Sequence, residues 1–473
     1  MSTRLRRVFA ALAREGLHLE STAHGYRVRR PQVGSDAPSA ELVMPPGFPL
    51  QAKALHQLMD FAGVSHPAGG HVCRVCATPD FHAGHLVPVG AVVATTPDLV
   101  VPQAIGTDIN CGMRLHVTDL TVDAFAAGKE ALVERLRGDL LLGTRDLPMT
   151  PGAMAAMFDE GSMGWLEAVA RRPGGALARS AMAQLWSELP RVYESGSFLG
   201  SSRHAPEALV DPGREWLRDP SLATLGSGNH FLELQVVEEI LDPRLAFAWG
   251  VRPGQVAFMV HTGSRGVGRH VGNTWIDRAR RRWPAGVRHP RAGIFALHGD
   301  DAAEYLGAVH TAANYAFVNR LLLAELVRLR LREVYRADLE APLVYDVPHN
   351  IVLREGDRFV HRKGATPAHA GQPVLIPGSM GHSSYLCVGR GSARYLSSAS
   401  HGAGRALSRF EVGRKAKDDL GLEGVECITL KAERLIEEAP AAYKPIAPVV
   451  DVQVQAGVVS RVARLRPLLT FKG

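Results

Sequence analysis

Apolar positions along the chain change their period several times, and each change marks a structural element. Near the N-terminus, TRLRRVFAALAREG repeats its apolar residues every three or four positions, which predicts an amphipathic helix. A polar, glycine-bearing stretch follows to about residue 45. From about 70 to 120 the runs GAVVATT, DLVVPQAIG and MRLHVTDL, parted by Gly, Pro and Asp, predict short strands and loops. Helical spacing returns in AAGKEALVERLRGDLLLG (126–143) and stops at glycine. Residues 150–220 are rich in Gly, Pro and Arg, with an alanine-rich helix near 176–189, and are expected to form a peripheral insertion. QVAFMVHTGSRGVG reads as a strand entering a glycine-rich loop. The longest pattern, TAANYAFVNRLLLAELVRLRLREVYRADL (311–339), predicts a helix with one apolar stripe and an arginine-rich face turned to solvent. From 440 onward short strands around a proline turn are expected. The chain has no internal repeat or heptad, and reactive residues are spread from 80 to 473. One domain over residues 1–473 is therefore expected, of mixed α/β (α+β) class.

Composition narrows the setting. With 473 residues and 46% hydrophobic content the chain has ample material for a core. No run approaches the roughly 18 apolar residues of a membrane span. The N-terminal apolar run is broken by Arg14 and Glu15, unlike a signal peptide, so a cytoplasmic protein is expected. Five scattered cysteines predict reduced thiols rather than a disulfide framework. A net charge of +7 favours an anionic partner such as nucleic acid. That argument is tempered by 46 arginines against 8 lysines, a compositional bias, which in turn makes Lys363 and Lys472 stand out.

Candidate chemistry begins at IGTDINCGMRL (105–115), where Cys111 follows Asp108 by three residues in a stretch too glycine-rich for a helix. His230 in LGSGNHFLEL, His261 in MVHTGSRG, His349 in YDVPHNIV and His401 in SASHGAGR lie in similar short polar segments, expected just after apolar strands. A lone histidine is most often structural, but four at strand ends beside Asp-x-x-Cys make a mixed S/O/N set suited to Zn²⁺, Mn²⁺ or Fe²⁺. A competing set, Cys73, Cys76, His82 and His85 in HVCRVCATPDFHAGH, has no second pair at finger spacing; alternatively, His82 and His85 line an active site. IPGSMGHSSYLCVG (376–389) and SHGAGRALSR (400–409) are glycine-rich in the manner of anion-cradling loops. GxxxxGK[ST] and Lys-x-Asp-Gly are both absent, so a covalently held nucleotide needs another carrier, and His401 is the candidate.

PDFHAGH, GTDINCGMRL, LGSGNHFLELQ, HTGSRGVG, ANYAFVNR, HN, HRKGAT, PGSMG, HGAGRALSR and the terminal KG, in that order, resemble the RtcB family of RNA ligases. The resemblance implies a single large domain of mixed β-sheets flanked by helices around a deep metal-lined cleft. It implies that Asp108, Cys111, His230, His261 and His349 ligate two Mn²⁺ ions, with Cys111 shared, and that His401 is the nucleophile. Asn229, His230, Glu233, His349, Asn350, Pro377, Gly378, Ser379, Met380, Ser384, Gly402, Ala403, Gly404 and Lys472 match the family's guanine-nucleotide contacts.

The implied activity joins RNA 3′-phosphate or 2′,3′-cyclic phosphate ends to 5′-hydroxyl ends, using GTP through a histidine–GMP intermediate, in RNA repair or tRNA splicing. Alternatives are a 3′-phosphate end-capping guanylyltransferase, a metallophosphoesterase and a non-catalytic RNA-binding paralogue. An archease-like helper and a monomeric state are further expectations. PDFHAGH in place of PDVHPG, TFKG in place of CVKG, and SSAS before His401 depart from the family pattern and bear on substrate range. For RNA contact, DRARRRWPAGVRHPR (277–291) and Arg265 are the candidates.

Overall fold

Residues 3–31, 38–407, 411–412 and 420–473 are described by the structure, a computed structural model. One sheet runs in the order β1 (His18–Thr22), β2 (Gly25–Arg29), β3 (Ser39–Val43), β4 (Val72–His82), β5 (Val89–Thr95), β13 (Arg358–Lys363) and β12 (Asn350–Glu355). A second runs β11 (Leu343–Pro348), β7 (Gly112–Thr121), β9 (Gln255–Thr262), β8 (Phe231–Ile240), β19 (Val459–Phe471), β16 (Ser384–Gly389) and β15 (Pro373–Ile376), with β18 (Cys427–Ile428) beside β19. Two short pairs, β6 (Leu99–Val100) with β10 (Leu297–His298) and β14 (Ala365–Pro367) with β17 (Ser398–Ser400), stand apart from them. The architecture is mixed α/β, as the sequence predicts.

The helices are α1 (Thr3–Arg14), α2 (Ala52–Ala62), α3 (Pro102–Ile105), α4 (Val122–Arg137), α5 (Pro151–Arg171), α6 (Met182–Glu188), α7 (Pro243–Ala248), α8 (Arg265–Arg281) and α9 (Asp300–Val334), followed by others nearer the C-terminus. The polar stretch before residue 45 supplies β1 to β3. The alanine-rich helix is confined to α6. From the 150–220 region, Met154, Met157, Phe158 and Trp165 of α5 enter the same core cluster as α9. None of the helices among the described residues is long and apolar enough to cross a membrane.

Two expectations are corrected. The long helix begins at Asp300, and its arginines do not all face solvent: Arg320 and Arg328 are fully buried. Arg320 pairs with Asp346 at 2.9 Å, and Arg328 with Glu325 at 3.2 Å and with Glu188. Arg114 joins the network through Asp346 at 3.3 Å and Glu188 at 3.5 Å. A helix surrounded by protein must neutralise its charges internally, and carboxylates from β11 and α6 do so. The second correction lies in the tail. IAPVVDVQVQ alternates like a strand but forms a helix, Ile446–Gln455, because Val449, Val450 and Val452 pack inward while Gln453 is consumed locally. Its amide donates to the Val449 carbonyl at 2.9 Å and accepts from the Ser400 N–H at 2.8 Å. Tertiary context overrides β-branched propensity here.

Replacing Arg320 by leucine would leave Asp346 buried without its closest cation. Expected is a loss of about 3–5 kcal/mol of stability by chemical denaturation; a change under about 1 kcal/mol would refute a structural role for this pair.

Candidate metal and nucleotide cleft

Strand polarity brings the site together. Gly112 of β7 lies opposite both Thr262 of β9 and Pro348 of β11, and Phe231 of β8 lies opposite His261. In this antiparallel register the starts of β7 and β8 share one sheet edge with the ends of β9 and β11. Cys111 and His230 therefore precede their strands instead of following them, which corrects the expectation from sequence. His349 is the single residue between β11 of one sheet and β12 of the other. Backbone bonds lock the junction: His349 N–H donates to the Cys111 carbonyl at 2.7 Å, and Asn110 N–H to the Asn350 carbonyl at 2.7 Å. Asn110 takes a left-handed φ of 53°, rare for a residue with a side chain, at the turn that presents Cys111.

The resulting contacts are short. Cys111 Sγ lies 3.2 Å from both His230 Nε2 and His261 Nε2. Asp108 Oδ2 is 3.1 Å from His230 Nε2, and His261 Nε2 is 3.2 Å from His349 Nε2. Carbonyl oxygens decide the tautomers: His230 Nδ1 faces Leu225 O at 2.9 Å and His261 Nδ1 faces Asn229 O at 3.1 Å. A carbonyl only accepts, so both Nδ1 atoms carry the proton and both Nε2 lone pairs point inward. Lone pairs thus face lone pairs. A single thiol proton satisfies one of these contacts, whereas a divalent cation satisfies the set, and the donors Cys111, His230 and His261 converge within 4.8 Å.

The electrostatics agree. Burial, and then the Asp108 carboxylate, push the Cys111 thiol well above its ordinary value. His261 and His349 are held well below theirs, first by burial and then by neighbouring imidazoles, so both rings are neutral.

A cleft of about 1130 Å³ opens onto this cluster. Asp108, Cys111, Asn229, Glu233, His261, His349, Asn350, Pro377, Gly378, Ser379, Met380, His401, Gly402, Ala403, Gly404 and Lys472 all line it. His230 stands behind Cys111, buried. Ser384 is the exception among the residues drawn from the resemblance. Its side chain is wholly buried behind the wall, where Oγ accepts from Gln235 Nε2 at 3.0 Å. Glu233 accepts from Gln235 at 2.6 Å and from Thr470 at 2.8 Å, and burial raises its carboxyl to about 7 against these bonds. Of the eight lysines, Lys53, Lys363 and Lys472 line the cleft, so the scarce ammonium groups gather where an anion would sit.

The His401 ring lies 4.8 Å, centroid to centroid, from that of His349, the two planes tilted by 43°. His401 Nδ1 donates to Asp80 Oδ2 at 2.5 Å, leaving the Nε2 lone pair without a hydrogen-bond partner among the described residues. Thr78 donates to the other Asp80 oxygen at 2.5 Å. Burial raises Asp80, but His401 overcomes it and keeps the carboxylate ionised. Asp80 is not among the residues singled out from the sequence, although a carboxylate within the buried part of strand β4, Val75 to Phe81, is a usable signal. Gly404 is required beside it, since a Cβ there would lie 2.2 Å from the Asp80 carbonyl. Of the HGAGRALSR motif, residues 408 and 409 lie outside the described residues.

Other expectations are sorted by the same geometry. Cys73 is exposed and Cys76 buried, on opposite faces of β4, so the CxxC pair cannot share an ion. Arg265 lies beside Asp108 but spends Nε on Thr224 Oγ1 at 3.0 Å and is not among the residues lining the cleft. In the 277–291 stretch Arg278 is paired with Glu304 at 2.6 Å, while Arg280, Arg281 and Arg288 are exposed.

A family model described as tRNA-splicing ligase RtcB matches residues 57–473. The chain belongs to the RtcB family. Among similar proteins, the tRNA-splicing ligase RtcB of Thermococcus kodakarensis is 34% identical over 434 residues, covering 84% of this chain and 86% of its own. That of Pyrobaculum aerophilum is 35% identical over 438 residues, covering 84% and 87%. RNA-splicing ligase RtcB homolog 1 of Entamoeba histolytica is 33% identical over 442 residues, covering 85% and 81%. The match of the RtcB model spans Asp80, every proposed ligand, His401 and Lys472.

Cobalt(II) titration is expected to give a thiolate-to-metal absorption band in the near ultraviolet that Cys111→Ser abolishes. Because the apo thiol is held protonated and must release its proton on binding, affinity should rise with pH, about tenfold per unit below the thiol pKa. A pH-independent affinity would rule out Cys111 as a ligand.

Proposed function

We propose that this chain is an RNA ligase that uses GTP and Mn²⁺ to join RNA 3′-phosphate or 2′,3′-cyclic phosphate ends to 5′-hydroxyl ends. Family membership and the names of its relatives support the ligase class. The observation that carries the finer reading is His401, a tautomer-fixed imidazole packed against the buried thiol–imidazole cluster inside a lysine-lined cleft.

The resemblance to the family and the geometry of the cleft support the following roles. Asp108, Cys111, His230, His261 and His349 would hold two Mn²⁺ ions. When bound, the ions supply charge neutralisation at the phosphate oxygens. His401 Nε2 attacks the α-phosphorus of GTP, the bond to the β-phosphate oxygen breaks, and pyrophosphate leaves. Asp80 anchors Nδ1–H through this step and stabilises the ring as it gains positive charge, as a triad carboxylate does. The backbone N–H groups of 378–380 and 402–404 cradle phosphates. Glu233 and Lys472, at the paired ends of β8 and β19, receive the guanine edge. An RNA 3′-phosphate then displaces His401 and takes the GMP, and a 5′-hydroxyl displaces GMP to seal the strand.

Radiolabelled α-phosphate GTP with Mn²⁺ should label the protein covalently, and His401→Ala should remove all label. Asp80→Asn should retain the fold but slow labelling by about 10²–10⁴-fold, through loss of the fixed tautomer. No label on the wild-type protein would sink this reading. Capped 3′ ends without joined strands would instead make it an end-capping guanylyltransferase.

A further inference from the structure

Sealing releases a proton from the attacking 5′-hydroxyl, and none of the roles assigned above receives it. His82 is a cleft-lining imidazole outside both the ligand set and the nucleophile. Its Nδ1 lies 2.8 Å from the Asp80 carbonyl oxygen, which only accepts, so the proton resides on Nδ1. The Nε2 lone pair has no hydrogen-bond partner among the described residues. Asp80 therefore orients two imidazoles at once: His82 through its backbone carbonyl and His401 through its carboxylate.

The surrounding backbone is held from three directions. Gln51 Oε1 accepts from Ala83 N–H at 2.8 Å. Gln57 accepts from Gly84 N–H at 3.1 Å and donates to the Gly84 and His85 carbonyls at 3.0 and 2.9 Å. Lys444 Nζ donates to the carbonyls flanking Asp80, at 2.9 Å to Pro79 and 2.6 Å to Phe81. Burial lowers the His82 ring to about 4, with Lys444 and His401 adding to the effect, so the ring is unprotonated at neutral pH. A neutral imidazole fixed this firmly at the cleft wall, with Nε2 unprotonated, has the form of a proton acceptor.

We infer that His82 Nε2 is the general base of the sealing step. The inference rests on the ligase reading. As the 5′-oxygen forms its bond to the RNA 3′-phosphorus, its O–H bond breaks and the proton passes to His82 Nε2. The bond from that phosphorus to the bridging oxygen breaks, and GMP departs with the electron pair. The imidazolium then returns its proton to water through the open cleft.

Single-turnover assays of His82→Gln and His82→Ala, each read at three points, test this: GTP labelling of His401, guanylylation of a 3′-phosphate end, and sealing. Sealing is expected to fall by about 10²–10⁴-fold while labelling persists, so that guanylylated 3′ ends accumulate. Free imidazole in the buffer should partly restore sealing by His82→Ala, which a purely structural role would not permit. Sealing at the wild-type rate would overturn the inference. So would an equal loss at all three points without imidazole rescue, which would make His82 a support for Asp80. Failure of the wild-type protein to label marks the separate failure of the ligase reading.

Discussion

One guanidinium ties the site together. Arg320, buried in the middle of α9, donates to the Asn110 carbonyl at 2.7 Å and to the Thr262 carbonyl at 3.1 Å while pairing with Asp346. Those partners flank Cys111 and His261 and lie three residues before His349. A single rigid, permanently charged fork thus sets the spacing of three strand ends that carry proposed ligands. Gly112 must be glycine for the same reason, since a Cβ there would come within 2.9 Å of the guanidinium carbon. The lone pairs that converge on the cluster repel one another, and the charge network beneath them holds them close before any cation arrives.

The second organising residue is Asp80. It is buried in β4 of the first sheet, whereas Cys111 and His230 immediately precede strands of the second and His261 lies in one. Through His401 it joins the two halves, and His349, the lone residue between β11 and β12, joins them again. The cleft is therefore a seam between sheets, where backbone ends and polar groups can be exposed without opening either core. His401 and the proposed ligands meet there because each sheet brings its own share.

Lysine placement reinforces this picture. Lys363 Nζ donates to the Ile105 carbonyl at 2.7 Å beside Asp108 and Cys111, and Lys444 is spent on the carbonyls around Asp80. In a chain that draws nearly all its surface cations from arginine, these ammonium groups act at fixed points: one steadies the ligand loop, the other the strand that orients His401. Burial lowers both from their ordinary value, so their charge is held at a cost that the neighbouring carbonyls and carboxylates offset.

Sequence alone determined the class of fold, the motifs and the identities of the proposed ligands and nucleophile, because glycine-bracketed Cys, His and Asp at strand boundaries are local signals. It also placed α1, α4 and the core of α9, where helical periodicity is strong. Tertiary structure decided what periodicity cannot encode. Whether the arginines of α9 faced water or carboxylates depended on β11 and α6, distant in the chain. Whether IAPVVDVQVQ became strand or helix depended on what it packs against. Asp80 acquired a role only when the fold laid it against His401, 321 residues away. Ser384, drawn from resemblance, proved to sit behind the wall. Local pattern reports which chemistry a segment carries; only the register of strands from two sheets sets which of those groups touch one another.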